Sequence, residues 1–468
     1  MSGRAGSAWR RPGRIALVAG VAAIAVAVAG CSADGPADRA ASDPRRPAAA
    51  PASPGGEASG GKAGKPPAVD PGWPRWGFTH TGVSANNVTD RFERDVSREL
   101  AATPMLQNQH IMGFGALNPE PYPQEYFWED LDSRTTLMKE SGGTQVITLC
   151  CAPDWMKGGP QGPTEESAWD EHLEDAPYPE HFDDFAELSA AVAERYTDVE
   201  YFMVWNEFKG FWKDHSKPAD YKGYTELYNK VYDAVKAVRP DAKIGGPYLG
   251  FDSNKTGESE LRGPWGVVNQ NVLDAFDYWF EHKKGADFVV VDGASLTDAH
   301  ELLPDAFGAL SKFGAVTDWL RDKSGGLPVW WSEWYFAPED GTTWAEPMRL
   351  AVQAASMIEF ARSGAATALY WNPQEKDGAC QGCMWDPRTG ASTPTGRLVG
   401  DFARWFPAGV RLEPVTSSDP KVRVLAQSRR LVLVNTSDKQ VRTTVDGRDF
   451  TLRPYEIRWS DRQAGSTG

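Results

Sequence analysis

The sequence predicts an α/β protein, a (β/α)8 TIM barrel followed by a small antiparallel β domain, and two observations support this. From Trp73 onward, apolar runs of strand length alternate with segments whose apolar residues recur at helical spacing. This alternation is typical of β/α units around a parallel sheet, and eight units over about 330 residues match one barrel. After Phe406 the sequence changes to short β-rich runs, which indicate an antiparallel domain.

Eight runs of strand length are predicted as barrel strands, and those of the fourth and seventh are near-continuous apolar stretches, as expected for parallel strands covered by helices. The eight strands lie at residues 76–81, 105–112, 145–151, 200–207, 243–249, 287–292, 328–334 and 366–371. Helices with apolar residues three or four positions apart are predicted at 182–196, 221–238, 272–282, 316–322 and 348–362. In the second domain we predict strands at 422–426, 431–435, 441–445 and 450–459, with Asp446-Gly447 as a hairpin turn.

The first 31 residues have the pattern of a bacterial lipoprotein signal peptide. Four arginines precede an apolar run too short to span a membrane comfortably, and the run ends in the lipobox-like Val28-Ala29-Gly30-Cys31. We predict that Cys31 is lipidated and anchors the exported protein to the membrane at the bacterial cell surface. The adjacent Arg10 and Arg11 leave general and twin-arginine export both open.

The rest of the predicted organisation follows from composition. Residues 32–72 are rich in Pro, Ala, Gly and Ser and predict a disordered tether. The barrel is predicted at 73–406, the β domain at 407–460 and a disordered tail at 461–468. The formal net charge of −15, without a basic run, argues against nucleic acid as a partner. We predict no cofactor, and the sequence does not indicate an oligomeric state.

Four further cysteines are disulfide candidates in an exported protein: Cys150, Cys151, Cys380 and Cys383. Four cysteines allow three pairings. The short spacing of Cys380 and Cys383 favours a local bridge, while cross-links to the vicinal pair stay open. A four-thiolate zinc site is the alternative, although a vicinal pair offers poor ligand geometry, and we predict no metal.

Two segments place a glutamate where a predicted strand ends. Trp205-Asn206-Glu207 closes the fourth strand, and Ser332-Glu333-Trp334 closes the seventh. The two glutamates are therefore separated by three units of about 40 residues, somewhat above the minimal βαβ length. Since a barrel builds its site at the carboxyl ends of its strands, we expect them to face each other. Two facing carboxylates are what glycosidic bond cleavage requires.

These motifs resemble clan A of the retaining glycoside hydrolases, whose members carry Asn-Glu at the end of the fourth strand and Glu at the end of the seventh. Within the clan, residues 73–459 are most similar to glycoside hydrolase family 39, which includes β-xylosidases and α-iduronidases. The resemblance implies that Glu207 is the acid/base, Glu333 the nucleophile and Asn206 the donor to the sugar 2-hydroxyl. It also implies a carbohydrate substrate cleaved by double displacement.

The chain departs from the clan at two places. At the end of the sixth strand, where many members have His and Tyr and the Tyr orients the nucleophile, this chain has Val291-Asp292-Gly293-Ala294-Ser295. Phe208 follows Asn206-Glu207 where Pro is frequent. The first departure motivates an alternative hypothesis, a lipid-anchored carbohydrate-binding protein that uses the barrel only as a scaffold.

Other residues at predicted strand ends are candidates for substrate binding, because flat aromatic faces stack on sugar rings while polar groups bind hydroxyls. Trp371 at the end of the eighth strand has a platform counterpart in the clan. The remaining candidates are Trp155, Trp334, His110, Asp154 and Tyr248. The fold does not determine the sugar, and a xylosidase-like activity comes only from the resemblance. The long segments 156–180 and 251–271 are expected to close one end of the cleft, which favours exo action.

Overall fold

The computed structural model describes residues 76–81, 90–163, 172–213, 217–337, 344–372, 380 and 382–462. The predicted signal peptide with Cys31, the predicted tether and residues 463–468 lie outside the described residues, so the predictions made on them stay predictions. In the described part of the chain, no helix combines the length and the apolar character needed to cross a membrane.

Eight parallel strands close into a barrel, which confirms the predicted fold class. Each strand pairs with its neighbours in the chain, and the last pairs with the first. The strands are β1 (Trp76–Thr79), β2 (Leu106–His110), β3 (Thr144–Leu149), β4 (Tyr201–Val204), β5 (Lys243–Gly250), β6 (Phe288–Ala294), β7 (Val329–Tyr335) and β8 (Thr367–Trp371). The carboxyl ends of these strands and the loops that follow them are called the mouth below.

A helix follows each barrel strand and packs on the outside of the barrel. The helices are α1 (Asp90–Ala102), α2 (Glu129–Glu140), α3 (Phe182–Arg195), α4 (Tyr221–Val238), α5 (Gln270–His282), α6 (Ser311–Lys323), α7 (Glu346–Ser363) and α8 (Pro394–Trp405). The segment between β5 and α5 forms a small sheet of three short strands, Ser253–Asn254, Arg262–Gly263 and Gly266–Val268.

A bulge on β5 and another on β7 interrupt the regular alternation of side chains in the barrel. On β7, Trp330 belongs to the inner core, while Trp331 turns outward and donates its indole N–H to Oγ1 of Thr317 on α6 at 2.9 Å. Regular alternation would turn Glu333 outward as well. The register instead shifts between Trp331 and Glu333, and a bulge of one residue exchanges the two faces beyond it. Glu333 is therefore brought beside Asp292 of β6.

The trailing β domain is present, and one of its predicted strands is wrong. It comprises β9 (Leu412–Glu413), β10 (Val422–Gln427), β11 (Arg430–Asn435), β12 (Val441–Val445), β13 (Arg448–Leu452) and β14 (Ile457–Asp461). The predicted strand 450–459 is two strands, because Pro454 and the left-handed Tyr455 (φ 53°) interrupt it. Asp446 and Gly447 both have positive φ, as a two-residue hairpin turn of type I′ requires.

The domain packs on the barrel through α7, where the guanidinium of Arg423 lies 3.7 Å from the Glu359 carboxylate.

Both described cysteine pairs are local. The sulfur atoms of Cys150 and Cys151 lie at disulfide distance, as do those of Cys380 and Cys383. The local bridge favoured for Cys380 and Cys383 is thus the one present, and the cross-link between the two pairs is not formed. Because each of these four sulfurs is paired, none is left as a thiolate for the alternative zinc site.

Candidate active site

Three carboxyl groups meet at the mouth of the barrel. Glu207 follows β4, Asp292 lies on β6 and Glu333 lies on β7. One carboxyl oxygen from each lies within 4.8 Å of the other two. Asp292 and Glu333 are each 2% exposed, and Glu207 is partly exposed. The structure therefore brings together the two glutamates that the sequence predicted to face each other, and it adds a third carboxyl group between the strands.

A tight turn after β4 aims Glu207 at the mouth. Trp205, Glu207 and Phe208 all have positive φ, at 68°, 48° and 55°, a conformation that non-glycine residues rarely adopt. The indole N–H of Trp205 donates to the backbone oxygen of Lys209 at 2.8 Å, and the Phe208 ring stacks on Tyr224 at 4.1 Å between centroids. Proline cannot reach the φ of Phe208, which gives a physical reason for the departure at this position.

An ion pair sets the charge of Glu207. The Nζ atom of Lys209 lies 3.0 Å from Oε2 of Glu207 and also pairs with Glu174. Burial raises the pKa of Glu207, but the Lys209 charge, a hydrogen bond from Asp292 and further contacts with Lys209 outweigh it and lower the pKa to about 2. The pKa of Lys209 is raised, since the two glutamates outweigh its burial. Glu207 is therefore ionised in the free protein.

Two tyrosines hold the carboxyl group of Glu333. The hydroxyl of Tyr248 donates to Oε1 at 2.5 Å, and the hydroxyl of Tyr335 donates to Oε2 at 2.6 Å. Burial and the nearby Glu207 charge raise the pKa of Glu333 to about 8, against the two tyrosine hydrogen bonds, which lower it. The structure thus supplies tyrosine hydroxyls to Glu333 from β5 and β7, although the end of β6 carries none.

Tyr248 was predicted to contact the substrate, but the structure gives it a different position. It is fully buried and its hydroxyl is engaged by Glu333. A register shift between Pro247 and Leu249 makes Tyr248 the extra residue of a bulge on β5, with φ 55°. The bulge turns the ring into the inner core of the barrel, so that the residue supports Glu333 from below the mouth.

Asp292 is the third carboxyl group of the cluster, and it is the one that holds a proton. Burial raises its pKa well above the ordinary value, and the charges of Glu207 and Glu333 act in the same direction. Three clustered carboxylates could also hold a divalent cation. Here the Lys209 ammonium and two tyrosine hydroxyls already occupy oxygens of Glu207 and Glu333. The arrangement fits shared protons, and we do not assign these residues as metal ligands.

Three predicted binding residues lie beside the carboxyl groups. His110 is fully buried, and its ring centroid lies 6.4 Å from that of Trp371. Burial lowers its pKa to about 3, while interactions with Asn206 and Glu207 raise it, so His110 is neutral. Asn206 is 1% exposed, and Trp371 is half-buried at the end of β8. The contact of these three residues with a ligand stays a prediction.

Trp334 was predicted to stack on a ligand, and the structure places it elsewhere. It is 1% exposed and packs against Phe360 of α7 and Tyr370 of β8. The cause is the β7 bulge: turning Glu333 toward the mouth turns the next side chain toward the helices. Trp334 therefore belongs to the core between β7 and α7, where no sugar can reach its ring.

Trp155 and Asp154 lie in the loop after β3, and their described contacts stay within the neighbouring loops. The indole N–H of Trp155 donates to the backbone oxygen of Glu120 at 3.0 Å. The Asp154 carboxylate lies 3.4 Å from Nζ of Lys157. Both residues are half-buried, so their predicted contact with a ligand stays a prediction.

The sequence analysis missed three residues that set the chemistry of the cluster. Lys209 and Tyr335 each lie two positions after a predicted catalytic glutamate, and Asp292 was given no part in the chemistry of the two glutamates. A charged or hydroxyl-bearing residue so close to each glutamate is the signal that could have indicated the first two. The role of Asp292 depends on the register between β6 and β7, which the sequence does not display.

Comparisons with known proteins show the fold. No family model and no curated protein matches the chain. A glycoside hydrolase family 39 β-xylosidase from Caulobacter crescentus has 16% identity and a TM-score of 0.54, with 81% of each chain covered. A conserved exported protein from Bacteroides fragilis has 11% identity and a TM-score of 0.55, over 83% of this chain and 98% of that one.

A third similar structure is the bacterial orthologue of human α-L-iduronidase. It has 14% identity and a TM-score of 0.54, over 81% of this chain and 66% of that one. At such identities the likeness shows the architecture alone, a TIM barrel with an added β domain. Function has to be argued from the carboxyl groups at the mouth.

Proposed function

We propose that this protein is a retaining glycoside hydrolase that cleaves O-glycosidic bonds of an oligo- or polysaccharide. The observation that carries the proposal is the approach of Glu207 and Glu333, whose nearest ligand oxygens lie within 4.8 Å at the mouth. Retaining enzymes hold their two carboxyl groups about 5–5.5 Å apart, whereas inverting enzymes leave about 6.5–9.5 Å for a water molecule. The short separation favours double displacement.

In this mechanism Glu333 attacks the anomeric carbon and forms a glycosyl ester, while Glu207 protonates the departing oxygen. Glu207 then removes a proton from the water that hydrolyses the ester. Tyr248 and Tyr335 hold one oxygen of Glu333 each, which fixes the direction of attack. By the resemblance to family 39, Asn206, next to Glu207, is proposed to donate to the sugar 2-hydroxyl.

The first step needs a protonated Glu207 and an ionised Glu333, whereas in the free protein Glu207 is ionised and Glu333 has a raised pKa. The two titrations are linked, because the negative charge of Glu207 is one cause of the raised pKa of Glu333. A proton that arrives on Glu207 removes that charge and favours the ionised nucleophile. Substrate binding must therefore be accompanied by proton transfer to Glu207.

We further propose exo action on a xyloside-like substrate. The support is the resemblance to family 39, the names of the structural neighbours and the small sheet formed by the segment after β5, which lies on the mouth side of the barrel. Trp371 is proposed as the platform for the sugar ring, since it is half-exposed beside His110.

The test is a screen of the purified protein against aryl α- and β-glycosides and polysaccharides, with Glu207→Ala and Glu333→Ala alongside. We expect sugar release that both substitutions abolish, and Glu226→Ala on the outer surface of α4 serves as the matched control. Azide should rescue Glu333→Ala with an inverted product, as expected for a nucleophile replaced by a small anion. Full activity of Glu333→Ala would refute the proposal.

The alternative of a non-catalytic carbohydrate-binding protein is an outcome of the same screen. It predicts polysaccharide binding without any release of reducing sugar. The absence of a tyrosine at the end of β6 motivated this alternative. Because the hydroxyls of Tyr248 and Tyr335 donate to Glu333, that absence does not deprive Glu333 of a tyrosine partner.

We also propose that the protein is attached to the bacterial cell surface by a lipid on Cys31. The support is the sequence pattern of residues 1–31 and the Pro-, Ala-, Gly- and Ser-rich segment that follows. In cell fractionation, the protein should sediment with membranes, and Cys31→Ser should release it. A membrane-bound Cys31→Ser protein would contradict the lipid anchor.

A further inference from the structure

Asp292 is the carboxyl group at the mouth to which the proposed mechanism gives no task. The register of β6 places it between Gly250 of β5 and Glu333 of β7. Its side chain is 2% exposed, and one of its oxygens lies within 4.8 Å of an oxygen of Glu207 and of Glu333. A carboxylate buried beside two others is strongly disfavoured. Asp292 is therefore expected to hold a proton.

The nearby carboxylates raise the pKa of Asp292 in the same direction as its burial. Burial is the largest cause of its raised pKa, followed by the charges of Glu207, Glu333 and Asp252. Lys312 of α6 is a cation that interacts with Asp292, and its Nζ donates to Oγ of Ser253 at 2.9 Å. The titratable groups that interact with Asp292 are Glu207, Tyr248, Asp252, Lys312, Glu333 and Tyr335.

Glu207 does not hold a proton without help, because the ammonium of Lys209 lies 3.0 Å from its carboxylate. A hydrogen bond between Asp292 and Glu207 joins the protonated group to the ionised one. The protein thus places a protonated carboxyl group beside the residue that must deliver the proton, with an oxygen of each within 4.8 Å of the other.

We propose that Asp292 and Glu207 form a proton-sharing pair, in which Asp292 holds the proton that Glu207 delivers to the glycosidic oxygen. This inference rests on the proposed function. The O–H bond of Asp292 breaks as an O–H bond forms on Glu207. That proton then passes to the leaving oxygen, while the glycosidic C–O bond breaks and the ester bond to Glu333 forms.

The second half of the cycle restores the pair. Water loses a proton to Glu207, and the water oxygen bonds to the anomeric carbon as the ester to Glu333 breaks. The proton returns from Glu207 to Asp292. The net reaction is one glycosidic bond and one water molecule converted into a free sugar and an alcohol, with both carboxyl groups in their starting states.

The test compares leaving groups in Asp292→Asn, which keeps the shape and a hydrogen-bond donor but cannot pass on a proton. General acid catalysis is worth about 10²–10⁴-fold, and a dinitrophenyl group leaves without it. We expect kcat/KM to fall by about 100-fold or more for phenyl glycosides and by less than about 3-fold for dinitrophenyl glycosides. Glu207→Gln should show the same pattern, and Glu226→Gln on the outer surface of α4, the matched control, should not.

Formate should partly restore phenyl glycoside hydrolysis in Asp292→Ala, because a small acid can occupy the vacated space. Equal losses for both leaving groups in Asp292→Asn, or no loss, would overturn the pairing, even where the Glu207 and Glu333 variants behave as the proposed function requires. Activity that EDTA abolishes and Mg²⁺ restores would also overturn it. Unimpaired activity of Glu333→Gln would instead refute the proposed function itself.

Discussion

The hydroxyl group of Tyr335 offers the sharpest perturbation of Glu333. It donates to Oε2 of Glu333 at 2.6 Å, and Tyr335→Phe removes only that donor. A hydrogen bond to a charged group is worth about 1.5–3 kcal/mol, and one pKa unit corresponds to about 1.4 kcal/mol. Because the bond favours the ionised form of Glu333, its loss should raise the pKa of Glu333 by about 1–2 units.

The assay is the pH dependence of kcat/KM on an aryl glycoside that the wild type hydrolyses. The cycle proposed above starts from ionised Glu333 with the catalytic proton on Asp292. The raised pKa of Glu333, about 8, therefore means that activity should fall as the pH drops through that value, because the nucleophile becomes protonated. In Tyr335→Phe this acid limb should move upward by about 1–2 units. Below the limb, kcat/KM should therefore be about 10- to 100-fold lower than in wild type, and the two profiles should converge at high pH.

Tyr370→Phe is the matched control, since the Tyr370 hydroxyl donates to the backbone oxygen of Gly382 at 2.8 Å. An unchanged acid limb in a folded Tyr335→Phe protein, or an equal displacement in Tyr370→Phe, would refute the assignment of the limb to Glu333.

Three further predictions concern charge and packing. Lys209→Met removes the cation beside Glu207 and should raise the pKa of Glu207 by about 1–3 units. Carbon NMR of labelled glutamates measures this pKa, and an unchanged value would contradict the ion pair. Burial lowers the pKa of Lys312 from 10.5 to about 8, so between these two values the unfolded chain binds more protons than the folded one. The unfolding free energy, measured in denaturant titrations and compared with that of Lys312→Met, should therefore rise with pH by about 3 kcal/mol. Equal pH slopes for both proteins would exclude this linkage. Gly77→Ala would set a methyl group 2.3 Å from the backbone oxygen of Leu106. Because of this overlap, the substitution should lower the unfolding free energy by about 1–3 kcal/mol. Unchanged stability would show that β1 and β2 can move apart to make room for the methyl group.

The barrel could be predicted from the sequence because most strands are apolar runs and five of the helices between them show helical spacing, although β2, Leu106–His110, is mostly polar. The seventh strand, predicted at 328–334, is observed as Val329–Tyr335. Both Glu207 and Glu333 follow from that count, since the carboxyl ends of the strands meet at the mouth. The strand predicted at 450–459 failed because Pro454 was passed over, and proline inside a run argues against a continuous strand.

The side-chain directions at the mouth could not be predicted, because they depend on backbone irregularities set by strand pairing. A bulge of one residue exchanges the two faces of a strand. A regular β7 would turn the side chain of Glu333 away from the mouth and that of Trp334 toward it. The direction of the Tyr248 side chain likewise depends on the bulge in β5. The part of Asp292 in the proton chemistry was equally hidden, since it depends on a residue of β6 reaching Glu207 after β4.

The irregular backbone and the buried charges of the mouth favour catalysis over binding alone. A sugar-binding surface needs aromatic faces and hydrogen-bonding groups, both of which an ordinary loop can present. It gains nothing from three carboxyl groups within 4.8 Å of one another, whose mutual repulsion and desolvation destabilise the folded chain. The left-handed conformations of Trp205, Glu207, Phe208 and Tyr248 add to this cost, and such outliers persist where the surrounding structure holds them in place. Positions that are costly for folding and converge on two carboxyl groups within 4.8 Å of each other are those expected of an acid/base and nucleophile pair.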